Sequence, residues 1–122
     1  MNLTEAQLTS DSLNITAGVA LASTTLLAAP GANLRYRIFG VDLVALPTNT
    51  GKVRCGLRDI VSAIAIGTTS INAGGGNIGD HLFFGEGGIV LPTNSGLEAR
   101  HIASVAAQDC TIVVRYIVED VN

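Results

Sequence analysis

In Lys52–Arg58 (KVRCGLR) every second residue is apolar: Val53, Cys55 and Leu57 fall on one side, Lys52, Arg54 and Arg58 on the other. A period of two marks a strand with one buried and one solvated face; a helix would need apolar residues every three to four positions. Thr111–Glu119 (TIVVRYIVE) repeats the pattern. Ile112, Val114, Tyr116 and Val118 share a face, and one step back in the same phase turns Cys110 inward. Val113 and Ile117 lie opposite, beside Arg115 and Glu119, so this strand is expected to be covered on both sides.

The run Asn33–Leu46 (NLRYRIFGVDLVAL) alternates through Leu34, Tyr36 and Ile38, and then changes phase at Gly40, after which Val41 and Leu43 are the apolar positions. A glycine at a phase break predicts a β-bulge in one long strand. Ile60–Ile66 (IVSAIAI), Ile89–Leu91, Leu97–Val105 and the short Ser23–Ala28 complete the strand set. Seven or eight strands separated by turn signals, without βαβ spacing, predict an all-β antiparallel sandwich or barrel. The N-terminal tract departs from this. Thr4-Glu5-Ala6-Gln7 fits a helix capping box, but the segment is so short that a flexible arm is an equal expectation. Residues 1–16 are therefore read as an arm, and 17–122 as a single β domain.

One hexapeptide occurs twice, as Leu46-Pro47-Thr48-Asn49-Thr50-Gly51 and as Leu91-Pro92-Thr93-Asn94-Ser95-Gly96. The flanking residues do not match, and a repeat architecture needs three or more units to bury a core. The two copies are expected to be strand-to-strand corners. Proline ends the ladder, asparagine tolerates turn conformations, and glycine is expected to supply positive φ before the next strand.

Composition then bears on function. Of 122 residues 48% are apolar, 14% charged and 4% aromatic, against about 25% charged in an ordinary domain. A surface so poor in charge is expected to be covered in part by other subunits. A net charge of −3 argues against nucleic acid as a partner. Even so, Arg35, Arg37, Lys52, Arg54 and Arg58 gather within one stretch, and all but one of the seven cations are arginine, the residue favoured in ordered interface contacts. Leu13–Ala29 carries too many polar residues for a membrane span, so no membrane association is expected.

Signals for chemistry are weak. Gly74, Gly76 and Gly79 form a GxGxxG, but Gly85, Gly87 and Gly88 follow where a dinucleotide site needs a helix. The tract from Asn72 to Gly88 is read as a long loop, in which Phe83 and Phe84 either anchor the loop in the core or contact a neighbouring subunit. His81 and His101 form no HxH pair, and His101 shares its phase with Leu97 and Ala99, as a packed or interface histidine would. Cys55 and Cys110 lack metal-site spacing and are expected to be buried thiols; a bridge between them stays open. Glu119-Asp120 reads as a solvated tail. No catalytic residue, cofactor or metal site is expected.

The order of features is also familiar: Ala28-Ala29-Pro30-Gly31-Ala32-Asn33-Leu34-Arg35-Tyr36-Arg37-Ile38, a Gly-rich middle, Gly88-Ile89-Val90-Leu91-Pro92, and a terminal valine-rich strand with a tyrosine, Thr111–Glu119. It resembles the small jelly-roll proteins encoded among tailed-phage structural genes, especially capsid decoration (cement) proteins. The Gly-rich tract 72–88 departs from that family's pattern. The resemblance implies a homo-oligomer, a trimer above all, that binds the major capsid protein on the outer shell of the virion after synthesis in the host cytoplasm. Its contacts would come from the arm, with Leu3, Leu8 and Leu13, from Arg35, Arg37, Arg54 and Arg58 facing acidic shell surface, and from Phe83 and Phe84. A fibre-tip domain binding a host saccharide is the other reading, weakened by the absence of tryptophan.

Overall fold

The computed structural model describes the backbone of residues 7–15 and all atoms of residues 22–104 and 108–122. Among the described residues nine strands form two antiparallel sheets: β1 (Gln7–Ile15), β2 (Ala22–Leu27), β3 (Leu34–Ala45), β4 (Lys52–Asp59), β5 (Ala65–Asn72), β6 (Gly79–Phe83), β7 (Ile89–Val90), β8 (Leu97–Ala103) and β9 (Gln108–Asp120). Sheet I has the order β1-β9-β3-β6, with β7 also on β3, and sheet II the order β2-β8-β4-β5. From β1 to β6 the chain runs I-II-I-II-II-I, and β8 and β9 each slot between strands placed earlier. With β7 set aside as an insertion, this is the eight-stranded jelly roll, two Greek keys folded face to face. The all-β sandwich expected from the alternation is the fold observed.

Alternation becomes packing directly. Along β8, Leu97, Ala99, His101 and Ala103 are buried and the residues between them half-exposed; β4 does the same through Val53, Cys55, Leu57 and Asp59. Facing them from sheet I are Tyr36, Ile38, Val41 and Leu43 of β3 and Cys110, Ile112 and Val114 of β9. Each fully buried aliphatic side chain contributes about 1.5–3 kcal/mol. Tyr36 and Tyr116 meet edge to face at 5.4 Å between centroids, and the Tyr36 hydroxyl donates to the Ala28 carbonyl at 2.5 Å.

The phase break in β3 is the expected bulge. Register with β9 shifts between Ile38↔Tyr116 and Gly40↔Arg115. A side chain at Gly40 would collide with the Arg115 guanidinium, which lies across it at 2.5 Å from the Cβ position. At the bulge the free edge of β3 also changes partner, from β7 at Arg37 and Ile38 to β6 at Gly40–Val44.

Four expectations need correction. Gln7–Ile15, placed in an arm, is strand β1, paired with β9 from Gln7↔Tyr116 to Ile15↔Gln108. The long β9 would otherwise leave that edge unpaired. Of Ile60–Ile66, expected as a strand, only Ala65 and Ile66 are in one, at the start of β5. Asp59, buried at the end of β4, accepts hydrogen bonds from Ser62 N (2.7 Å) and Ile64 N (3.2 Å) and folds the segment into a turn, with Ala63 at φ 55°, before β5 starts at Ala65. The Gly-rich tract is not one loop: a 3₁₀ turn (Ala73–Gly75) leads into β6, which uses the alternation hidden between the glycines. Finally, positive φ in the second hexapeptide belongs to Asn94 (57°) and not to Gly96, whereas no residue of the first copy has it. Gly96 is required for closeness, since a Cβ there would lie 2.4 Å from the Leu27 carbonyl.

Among the described residues no helix is long and apolar enough to cross a membrane, and no three His, Cys, Asp or Glu side chains gather as a metal site.

Candidate interaction surface

The arginines proposed from the sequence divide between the two sheets. Arg35 and Arg37 point outward from β3 and close on one carboxylate across the β3–β9 pair: Arg35 Nε donates to Glu119 Oε2 at 2.9 Å and Arg37 Nε to Glu119 Oε1 at 2.5 Å. Arg37 also donates to the Gly87 carbonyl at 2.6 Å. Glu119 is thus no solvated tail. It lies beneath two guanidinium groups, and the hydrogen bond from Arg37, followed by that from Arg35, holds its carboxyl below the usual carboxylate range against the opposing cost of burial.

Arg54 and Arg58 project from β4 onto the outer face of sheet II. Register sets Gly56, which lies between them on the strand, directly opposite Arg100 of β8 and Thr68 of β5. A Cβ at Gly56 would have only the Arg100 carbonyl nearby, at 3.9 Å. The missing side chain leaves a depression of about 310 Å³, lined by Arg54, Gly56, Arg58, Thr68 and Arg100, with Ala63 and Ala65 at one side. Past Arg54 it continues into a second depression of about 480 Å³ along Lys52, Ser70 and Ile102. Arg58 is engaged by Glu98 on the neighbouring strand. Arg54 and Arg100 have no ion-pair partner among the described residues, and Arg100 Nε is buried without a hydrogen bond. Arg100 escaped the sequence reading because the cations were sought in one stretch of chain, whereas strand pairing brings β8 beside β4.

Two further surfaces are apolar. The corrected turn 60–64 leaves Ile60, Val61 and Ile64 exposed at 42%, 66% and 62%. On the outer face of sheet I, Phe83 is 69% exposed, while Phe84 packs against the core. The two phenylalanines therefore separate the alternatives that the sequence left open: one anchors, the other is presented. Leu8 and Leu13 fall in register with Arg115 and Cys110; Leu3 lies outside the described residues.

Both cysteines and His101 face inward, whereas His81 on β6 is exposed. Cys55 and Cys110 are buried and unbridged. Burial, and after it the nearby Cys110, pushes the Cys55 thiol up to about 12. Burial raises Cys110 as well, partly opposed by the hydrogen bond from Asn49. Such thiols are poor nucleophiles. His101 is buried, its Nε2 lies 3.0 Å from Thr24 Oγ1, and burial lowers its pKa. It is the packed histidine that its phase predicted.

No family model and no curated protein matches this chain. Among solved structures it is similar to a Bacillus endospore appendage protein, described as forming disulfide-linked pili, at 14% identity and a TM-score of 0.44 over 95% of this chain and 93% of that one. It is also similar to the extra small virus virus-like particle of the giant freshwater prawn Macrobrachium rosenbergii, at 12% identity and a TM-score of 0.39 over 95% and 81%. Likeness at this level leaves the function to be argued from the chain's own surface.

Proposed function

We propose that this protein is a non-catalytic assembly subunit: a capsid decoration protein that self-associates, as a trimer, and binds the major capsid protein on the outer shell to stabilise it. The observation that carries the reading is the exposure of large apolar side chains on a chain with few charges. Ile60, Val61 and Ile64 at one end, Ile78 at the other and Phe83 on the face of sheet I all stand in solvent, while only 14% of the residues are charged. The cluster of Ile60, Val61 and Ile64 in one five-residue turn is the kind of apolar exposure that other proteins cover. The trimer and the shell come from the sequence resemblance; the jelly roll supplies a rigid scaffold that suits them. Mixing the purified protein with undecorated capsids is the test. Saturable occupancy that protects the shell against heat is expected, and failure to bind any shell at micromolar concentration refutes the decoration role.

A further inference from the structure

The depression floored by Gly56 has an architecture that a merely solvated strand face lacks. Three arginines, Arg54, Arg58 and Arg100, line it beside the bare backbone of Gly56, and Thr68 lies opposite Gly56 on the other neighbouring strand. Among the described residues Glu98 is the one carboxylate ion-paired with any of them, and it is held by Arg58. That internal contact is also a precedent, since a carboxylate already seats against one arginine of the group. Arg100 Nε is buried without a hydrogen bond, an unspent donor on a residue that lines the depression, and a charge-assisted hydrogen bond to an anion would satisfy it.

We propose that this depression is a carboxylate-binding socket, and that its occupant is a segment of a partner protein presenting an Asp or Glu side chain beside aliphatic residues. Three observations select that occupant over other anions. Ala63 and Ala65 line one side of the depression, and they belong to the segment that carries the exposed Ile60, Val61 and Ile64, apolar surface that a phosphate backbone or inorganic anion would leave uncovered. The socket runs on past Arg54 into the second depression, which gives an extended chain a path along the sheet. The protein's net charge of −3 opposes approach to a polyanion, while the local cluster still attracts a single carboxylate. The identity of the partner rests on the assembly reading above; the socket does not.

The test is a titration of the isotopically labelled full-length protein with acetyl-Gly-Val-Glu-Ile-Gly-amide, followed by NMR up to millimolar concentration. Its glutamine counterpart, sodium sulfate and oligothymidylate serve as parallel arms. Saturable shifts confined to the amides around Gly56 and Arg100 are expected, with the glutamine peptide roughly tenfold weaker or worse. Arg100→Ala and Gly56→Ala should each weaken the glutamate peptide by roughly tenfold. Gly56→Ala guards against a folding artefact, because Gly56 does not have positive φ and its new methyl would meet only the Arg100 carbonyl, at an ordinary contact distance of 3.9 Å. Equal binding of the glutamine peptide, tighter binding of sulfate or oligothymidylate, or indifference to both substitutions would overturn the proposal. A monomer that binds the peptide would refute the assembly reading alone; a shell-binding oligomer that ignores the peptide would refute the socket alone.

Discussion

At the corner between β3 and β4, Asn49 is buried at 8% exposure, donating to Cys110 Sγ at 3.1 Å and accepting from Asp109 N at 2.9 Å. At the corner between β7 and β8 its counterpart Asn94 is exposed, left-handed at φ 57°, and accepts from Gly31 N at 3.0 Å. The two segments spell almost the same six residues, yet their turns close one residue out of step: Asn49 N bonds Leu46 O, whereas Ser95 N bonds Pro92 O. In the first copy asparagine is the buried residue that stitches the corner to β9. In the second it makes the bend, and Ser95 is buried instead, beside Asp59. The sequence sets the local chemistry of a corner, and the neighbouring strands decide which of its residues carries the load.

Substitutions should separate the two corners. The largest effect is expected for Gly96→Ala, at about 3 kcal/mol in chemical denaturation, because its methyl meets a backbone carbonyl that cannot move aside. Asn49→Ala should cost about 2 kcal/mol, since a buried donor and acceptor lose their partner. Asn94→Ala should cost about 1 kcal/mol, mainly from forcing alanine into the left-handed region. Asn94→Gly should lie within about 0.5 kcal/mol of the parent, because glycine accepts that backbone. Asn49→Gly should be at least as damaging as Asn49→Ala. If both asparagines respond alike to glycine, the distinction between the corners fails.

Acid should draw out a subtler contrast, readable as hydrogen-exchange protection across a pH series. His101 on β8 has a folded pKa below its ordinary 6.5 because of burial. The unfolded chain then takes the proton first, and stability declines as pH falls from 6.5 towards the folded value. Glu119, clamped by Arg37 and Arg35, lies below its ordinary 4.5. Its contribution is complete above 4.5 and is lost only as pH falls through the depressed folded value. Protection around His101 should therefore weaken first. His101→Gln should remove the earlier phase and leave the later one; loss of protection at both places together would break the contrast.

How much of this was legible depended on where the decisive partner sat. Alternation gave β4, β8 and β9, and the phase break at Gly40 gave the bulge, because each is written within one strand. Ile60–Ile66 misled because β-branched residues favour strands, while the turn is imposed by the Asp59 carboxylate just before them. β6 was hidden by glycines that surround a short alternating pattern. Glu119 looked solvated at the chain's end, yet β3 lays two arginines over it. Arg100 joined Arg54 and Arg58 only through the β4–β8 register, which no local pattern encodes.

In the proposed function, the exposed apolar side chains of Ile60, Val61 and Ile64 are covered by self-association. Mass photometry at micromolar and lower concentrations tests this most directly, on the parent and on a variant carrying Ile60→Ser, Val61→Ser and Ile64→Ser. The account predicts a discrete parent oligomer, a trimer, that the substitutions shift towards smaller species while the fold is retained. A parent that stays a soluble monomer throughout would contradict it.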